Sequence, residues 1–410
     1  MSQQGPILLV SNGTRPSFAT ALDEAGLFPL IETDWAEASH AVAEVQPVAI
    51  LAAMNGATEA SLAAIARQVA ARKPYLPLLA IDPEGSVAAN AIPFAQGQGK
   101  PERLVARLRA SLRVRALHAT VLRRLHDDPA TPTKLPASDP VDDATVLLIG
   151  RGGHFPALSV ALGENMSVVG AFSMEAAGKH LNARDIDGIV LAGGFTLRVV
   201  DAFLTVLSED ARFRNLPVVL TSKDLAPTYD LPNLEIMANE PRRIAAHALP
   251  LIRQRAFEAR LTRTLRAIDA GGLLDPQTGL LTQIAFARDF AGTVKEALSE
   301  GGGLSVARLA FDPTNLRAQR DGARIISHLM RKMDFGTLQA DGSAIVVLAA
   351  TDMRAAHAIA RRLSSVIRQT SHGKGNARGE LAVTIASLLP SDTPVSLLAR
   401  LQDDSRRAAS

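Results

Sequence analysis

The sequence predicts three consecutive units of mixed α/β class: two doubly wound domains with parallel sheets, then one α+β domain. Three observations carry that prediction. Short apolar runs alternate with helical patterns through the first 270 residues, the alternation runs through twice with a long helix closing each round, and the pattern changes after Gly271-Gly272. A length of 410 residues suits about two to four domains. The hydrophobic share of 47% can fill several cores, and with aromatics at 4% those cores are built from small aliphatic residues.

In the first round the strands are expected at Ile7 to Val10, Val48 to Ala52 and Leu76 to Ile81, with helices at Ser17 to Ala25 and Ala60 to Ala71. A long helix from Pro101 to about Leu125 closes this unit, residues 1–127. The proline-rich and polar stretch from Asp127 to Pro136 reads as the start of a linker, 128–143. The second unit, 144–270, has strands at Val146 to Ile149, Gly188 to Leu191 and Val218 to Thr221, and a closing helix from about Pro241 to Ala270. The third runs over 271–410.

Composition removes several functions. With no cysteine there are no disulfides, thiolate chemistry or cysteine-type zinc sites. Met1 to Gln4 runs into an apolar strand without the regions of a signal peptide, and no apolar run approaches the roughly 20 residues that span a bilayer, so a cytoplasmic protein without membrane contact is expected. Net charge is only +3, and the arginines gather on the two closing helices: Arg103, Arg107, Arg109, Arg113 and Arg115 on one, Arg253, Arg255, Arg260, Arg263 and Arg266 on the other. On the first, Leu104, Leu108 and Leu112 mark a buried stripe, which assigns its arginines to the solvated side. Without interleaved aromatics or a binding motif, no nucleic-acid partner is expected. The run Gly150-Arg151-Gly152-Gly153-His154-Phe155 departs from a dinucleotide loop because Phe155 occupies the third glycine position. The nine histidines have no ligand-like spacing; His328, His357 and His372 read as surface or packing residues.

Leu76-Pro77-Leu78-Leu79-Ala80-Ile81 with Lys100-Pro101, and Leu216-Pro217-Val218-Val219-Leu220-Thr221-Ser222 with Glu240-Pro241, resemble the fourth strand and the Lys-Pro pair of receiver domains, a flavodoxin-like (CheY-like) fold. That resemblance implies a carboxylate nucleophile after the third strand and metal-holding acids after the first. Here the nucleophile positions fall on Ala53 and Ala192, and the acidic pair is replaced by Ser11-Asn12 and by Gly150-Arg151. Alanine accepts no phosphoryl group, so both units are expected to be structural or docking modules. Lys100 and Thr221 stand where the family uses such residues, but read as solvated or strand-end side chains.

Leu274-Asp275-Pro276-Gln277-Thr278-Gly279-Leu280-Leu281 resembles the entry to a GGDEF domain, the diguanylate cyclase module. A strand from Leu304 to Phe311, a helix from about Ala323 to Met333, a hairpin over Thr337 to Leu348, a helix from Met353 to Arg368 and the strand Leu381 to Ser387 continue the resemblance. With the two units in front, the order resembles PleD-type response regulators (receiver, receiver, GGDEF). Cyclisation needs metal-binding acids at the hairpin and the first strand. The hairpin positions hold Gly342 and Ser343, Ala310 stands at one first-strand position, and the segment Pro313 to Arg320 is short and lacks the guanine-gripping residues. Asp312 and Asp341 read as turn residues. Catalytic residues and resident cofactors are therefore expected to be absent.

Arg331-Lys332-Met333-Asp334 has the R-x-x-D form of the family's inhibitory site, with the family's spacing to the hairpin, and Arg362 falls where a further arginine completes that site. The resemblance implies cyclic di-GMP as the ligand of Arg331, Asp334 and Arg362. An arginine fork suits a phosphate or a guanine edge, and an aspartate accepts from guanine N–H donors. The alternative is a helix-end Arg/Asp pair in water. The expected function is a non-catalytic signalling adaptor with protein partners, dimerising through the closing helices near Leu104, Leu108, Leu112, Phe257, Leu261 and Leu265. Two other readings stay open: a cyclase with an unconventional site at Asp312 and Asp341, and a scaffold that binds no nucleotide.

Overall fold

The computed structural model describes residues 5–24, 26, 28–85, 87–96, 101–127, 133–221, 229–300, 303–331, 333–371 and 381–409. The first unit contains β1 (Ile7–Ser11), α1 (Ser17–Glu24), β2 (Leu30–Asp34), α2 (Ala38–Val45), β3 (Ala49–Ala53), α3 (Glu59–Ala70), β4 (Leu78–Ile81), β5 (Ala91–Phe94) and α4 (Pro101–Asp127). Its five strands lie in the order β2-β1-β3-β4-β5 and all pair in parallel. The central strands are buried on both faces, so they read as unbroken apolar runs. On one side Phe18, Leu22, Leu104 and Leu108 from α1 and α4 cover the sheet; on the other Val42, Leu62 and Ile65 from α2 and α3 do. The sequence reading missed β2 and β5. The first is a half-exposed edge strand carrying Glu32 and Asp34, and the second is only four residues long.

The second unit repeats this order with β6 (Thr145–Ile149), α5 (Phe155–Gly163), β7 (Ser167–Ala171), α6 (Met174–Ala183), β8 (Gly188–Leu191), α7 (Leu197–Glu209), β9 (Val218–Leu220), β10 (Leu234–Ile236) and α8 (Pro241–Asp269). The third contains α9 (Gln283–Glu300), β11 (Leu304–Ala310), α10 (Leu316–Leu329), β12 (Phe335–Leu338), β13 (Ala344–Ala349), α11 (Met353–Ile367), β14 (Thr370–Ser371), β15 (Ala382–Ser387) and α12 (Pro394–Ala409). Its sheet is antiparallel in the order β12-β13-β11-β15, with α10 and α11 on one face and α9 and α12 on the other. Helix α10 begins seven residues before the expected Ala323, because the Asn315 side chain caps it by accepting from Ala318 N–H at 3.0 Å. Strand β14 leaves its own unit and pairs antiparallel with β7, so the second sheet has the order β10-β9-β8-β6-β7-β14.

Two sequence expectations change at the unit boundaries. The closing helices pack on each other within one chain: Val114 and Val121 of α4 meet Leu261 of α8, with Leu117, Leu125, Phe257 and Leu265 around them. Burying each such aliphatic side chain stabilises by about 1.5–3 kcal/mol. The apolar surface expected to join two copies is thus covered internally. The arginines of these helices, expected in solvent, are partly interior. Arg107 is fully buried; it donates to Glu235 at 2.7 Å and to the carbonyls of Pro93 (3.0 Å) and Pro232 (2.5 Å), joining the first unit to the second. A guanidinium presents five donors in a fixed fork, so acceptors from several elements can surround it.

The second junction centres on Asp143, the last residue of a 3-10 turn, Pro140–Asp143. Its buried carboxylate accepts from Arg260 of α8 at 2.6 Å and from Arg320 of α10 at 3.0 Å, and lies 3.3 Å from Arg324. Its carbonyl accepts from Arg324 at 2.7 Å. Arg184 donates to Thr370 and to the Val366 carbonyl, and Arg317 reaches the Asp142 and Asn165 carbonyls. Residues 128–132 of the expected linker, together with Lys100 and Ser222, lie outside the described residues; from Thr133 onward the segment is packed, with Thr133 buried and Leu135 against α4 and α8. Among the described residues no helix is long and apolar enough to cross a membrane.

Burial alone would raise the Asp143 pKa, but the charges of Arg324 and Arg260 outweigh it and hold the carboxyl below the usual range. A depressed folded value means the stabilisation is fully present above the unfolded pKa of about 3.9 and is lost as pH falls through the folded one. Asp143→Asn should therefore lower stability at pH 7 by about 3–5 kcal/mol, since it leaves buried cations uncompensated. In urea titrations followed by circular dichroism, the gap between variant and parent should narrow below about pH 4.

Candidate functional site

The three residues of the R-x-x-D expectation come together at the C-terminal end of α10. Asp334 is the buried member, 7% exposed. One carboxylate oxygen accepts from Ala349 N–H at 3.2 Å and the other from Arg331 N–H at 3.4 Å, so the side chain braces the turn that leads from α10 into β12 against the end of β13. Burial raises its pKa, and these two backbone donors and the nearby charges of Arg331 and Arg362 offset that only in part. Arg331 and Arg362 are exposed, and Arg362 donates weakly to the Leu329 carbonyl at 3.4 Å. Two accessible guanidinium groups thus flank a buried carboxylate whose first partners are backbone amides. Lys332 lies outside the described residues.

The hairpin and the end of the first strand carry two further carboxylates, Asp341 and Asp312. Asp341 is exposed and paired: it bonds with Arg308 of β11 at 2.8 Å and accepts from Ser343 N–H at 2.9 Å and Ser343 Oγ at 2.6 Å. Burial, which would raise its pKa, is outweighed by these bonds, and the carboxyl is held low. Arg308 also donates to Ser343 Oγ at 3.2 Å. Asp312 is exposed and closes a turn, accepting from Thr314 Oγ1 at 2.6 Å and Thr314 N–H at 2.9 Å; the Thr314 hydroxyl bond is the main cause of its lowered pKa.

Between these two turns lies the Gln319 side chain, which the sequence reading did not single out. It is 5% exposed and donates to the carbonyls of Asp312 (2.9 Å) and Pro313 (3.1 Å). Gly342 sits at φ +81°, and a Cβ there would come within 2.5 Å of Gln319, so the hairpin turn and the amide are in close contact. Arg308 was legible as the one charged residue in the strand Leu304–Ala310; Gln319 carried no signal, because only the docking of α10 turns it inward. Among the described residues no three His, Asp or Glu side chains converge as a metal cage.

At the strand ends of the first unit, Ser11 is buried beside Ala53, and the Asn12 amide donates to the Asn55 carbonyl at 3.0 Å. In the second, Arg151 donates to the Phe172 carbonyl and its guanidinium carbon lies 5.5 Å from the Phe195 ring centroid. Ala192 fills the space beside Gly150, where a Cβ would approach it to 2.8 Å.

No protein-family model matches this chain, and no curated protein does. Among solved structures, the chain is similar to the coiled coil and GGDEF domain of DgcB from Caulobacter crescentus in complex with c-di-GMP, at 15% identity and a TM-score of 0.32 over 36% of this chain and 88% of that one. It is similar to the FimX GGDEF domain from Pseudomonas aeruginosa at 17% identity and a TM-score of 0.29, over 33% and 94%. A third is the diguanylate cyclase SiaD in complex with its activator SiaC from Pseudomonas aeruginosa, at 15% identity and a TM-score of 0.29, over 36% and 65%.

Asp334→Ala should destabilise the third unit by about 1–3 kcal/mol, because two backbone donors lose their acceptor inside the fold. Arg331→Ala and Arg362→Ala, on exposed side chains, should change stability by less than about 0.5 kcal/mol. Urea titration of the three variants checks the contrast.

Proposed function

We propose that this protein is a non-catalytic adaptor of cyclic di-GMP signalling, in which two receiver-like units without phosphoryl chemistry support a degenerate GGDEF unit. The observation that carries the non-catalytic reading is the buried Gln319 side chain wedged between the Asp312 turn and the Gly342 hairpin, with Arg308 neutralising Asp341 beside it. A metal-assisted cyclisation needs free carboxylates and room for a triphosphate there. Here the carboxylates are committed to a turn and to an arginine. The receiver-like reading is supported by the parallel strand order, by Ala53 and Ala192 at the strand ends, and by Ser11-Asn12 and Gly150-Arg151 in place of acids.

The ligand reading is supported by the placement of Arg331 and Arg362, two accessible forks near one carboxylate and suited to phosphate oxygens or guanine edges. The buried, backbone-bound state of Asp334 favours a second reading, a docking scaffold that takes no nucleotide. Calorimetry separates the two. Arg331→Ala should weaken cyclic di-GMP binding by about 2–3 kcal/mol, on the order of a hundredfold, while Asp341→Ala should leave it nearly unchanged. Absence of heat from the parent protein at saturating cyclic di-GMP would establish the scaffold reading.

Incubation with GTP and Mg²⁺ or Mn²⁺ should yield no cyclic di-GMP, by chromatography, from the parent protein. Appearance of product would overturn the non-catalytic reading. Acetyl phosphate should leave the mass of the intact chain unchanged, because no aspartate stands at the Ala53 or Ala192 position.

A further inference from the structure

A cavity of about 250 Å³ opens where α8, α10 and the turn after Gly271-Gly272 meet, and its walls are contributed by the second and third units together. Arg263 and Arg266 of α8 and Arg324 of α10 line it, against the carboxylates of Asp185 and Asp275. Three guanidinium groups and two carboxylates thus line the cavity, and behind its wall the Asp143 carboxylate lies 3.3 Å from Arg324. Asp185 lies 3.5 Å from Arg263, and Asp275 is already engaged by the Thr278 hydroxyl at 2.6 Å.

The hydrogen-bond inventory is also short of acceptors. Arg263 Nε and Arg324 Nη2 are buried and make no hydrogen bond among the described residues; Arg324 Nη2 lies 3.3 Å from the Asp143 carboxylate in an ion pair, and the other nitrogens of Arg324 donate to the carbonyls of Gln277 (2.9 Å) and Asp143 (2.7 Å). Buried donors without acceptors are uncommon in native folds and call for a water or a ligand. The hydroxyls of Thr278 and Ser327 already donate within the protein, to Asp275 and to the Gly279 carbonyl, and His328 Nε2 lies 3.1 Å from the Asn182 carbonyl, so recognition in this cavity falls to the guanidinium groups. Burial, with the charge of Arg324 next, pushes the Arg263 pKa down to about 10 against the opposing charges of Asp185, Asp187 and Asp143.

We propose that this cavity binds a small phosphate-class oxyanion, held by Arg263, Arg266 and Arg324 across the joint between the second and third units. Guanidinium forks match a tetrahedral oxyanion bidentately, and the anion adds negative charge among the three guanidinium groups that line the cavity. The cavity is smaller than the roughly 300–1,000 Å³ typical of drug-sized ligands, which excludes a dinucleotide and admits inorganic phosphate or a small phosphomonoester. Because its cations come from α8 and α10, the anion stabilises the docked arrangement of the two units over an undocked one. This site is separate from Arg331 and Arg362 and does not depend on the proposed function.

The test is thermal unfolding and calorimetry of the full chain at constant ionic strength, with inorganic phosphate in one arm and glycerol phosphate in the other, each against chloride. The expected result is a saturable rise in melting temperature with phosphate that chloride does not reproduce. Arg266→Gln, on an exposed side chain, should weaken binding at least tenfold while leaving the melting temperature without phosphate unchanged. Arg263→Gln should do the same to affinity, and Arg331→Ala should have no effect on it. Tighter binding of glycerol phosphate identifies a phosphomonoester as the occupant; equal or weaker binding identifies free phosphate. A shift matched by chloride at equal ionic strength, or phosphate affinity unchanged in Arg266→Gln, overturns the proposal.

Discussion

The arrangement of the third unit depends on one buried carboxylate. Asp143 stands at the end of a short turn just ahead of β6, and it accepts from Arg260 and Arg320 while Arg324 lies within ion-pair distance. Those arginines come from α8 and α10, so a single charge fixes the closing helix of one unit and the first helix after β11 in the next. A carboxylate this deep is tolerable only with such surrounding charge, since an unpaired ion there would cost several kcal/mol. The antiparallel pairing of β14 with β7 and the Arg184 bonds to Thr370 and Val366 act on the same joint. The turn at Asp143 thus does for the second junction what the Arg107–Glu235 pair does for the first.

The docking of α10 has a consequence inside its own unit. With Arg317, Arg320 and Arg324 committed to the second unit, the first turn of the helix is held so that Gln319 faces the hairpin. The amide then fills the region between the Asp312 turn and Gly342. The same docking that joins the units thus accompanies the packing of Gln319 against the hairpin, where Arg308 pairs with Asp341.

A related substitution recurs at the strand ends of the second unit, where Arg151 spans from the Phe172 carbonyl to the Phe195 ring. Arg151 is exposed, whereas Arg308 is partly buried; each is bonded within the protein beside a strand end. An arginine held by a carbonyl and an aromatic face needs no bound ion to balance it.

The sequence alone determined the alternation of strands and helices through the first 270 residues and the limits of both closing helices, because apolar periodicity and proline or glycine at helix ends are local properties. It singled out Arg331, Asp334 and Arg362 by their spacing, and it carries alanine at positions 53 and 192. Short or polar edge strands such as β2, β5 and β14 carried too little periodicity to be read. Only the tertiary structure decided that Arg107, Arg260 and Arg324 are interior, that α4 and α8 cover each other, that Gln319 is buried and that Asp334 braces a turn. The physical reason is that an arginine or glutamine has the same local preference in water as against a carbonyl or carboxylate; which environment it meets is set by contacts more than a hundred residues apart, such as Arg107 with Glu235 and Asp143 with Arg324.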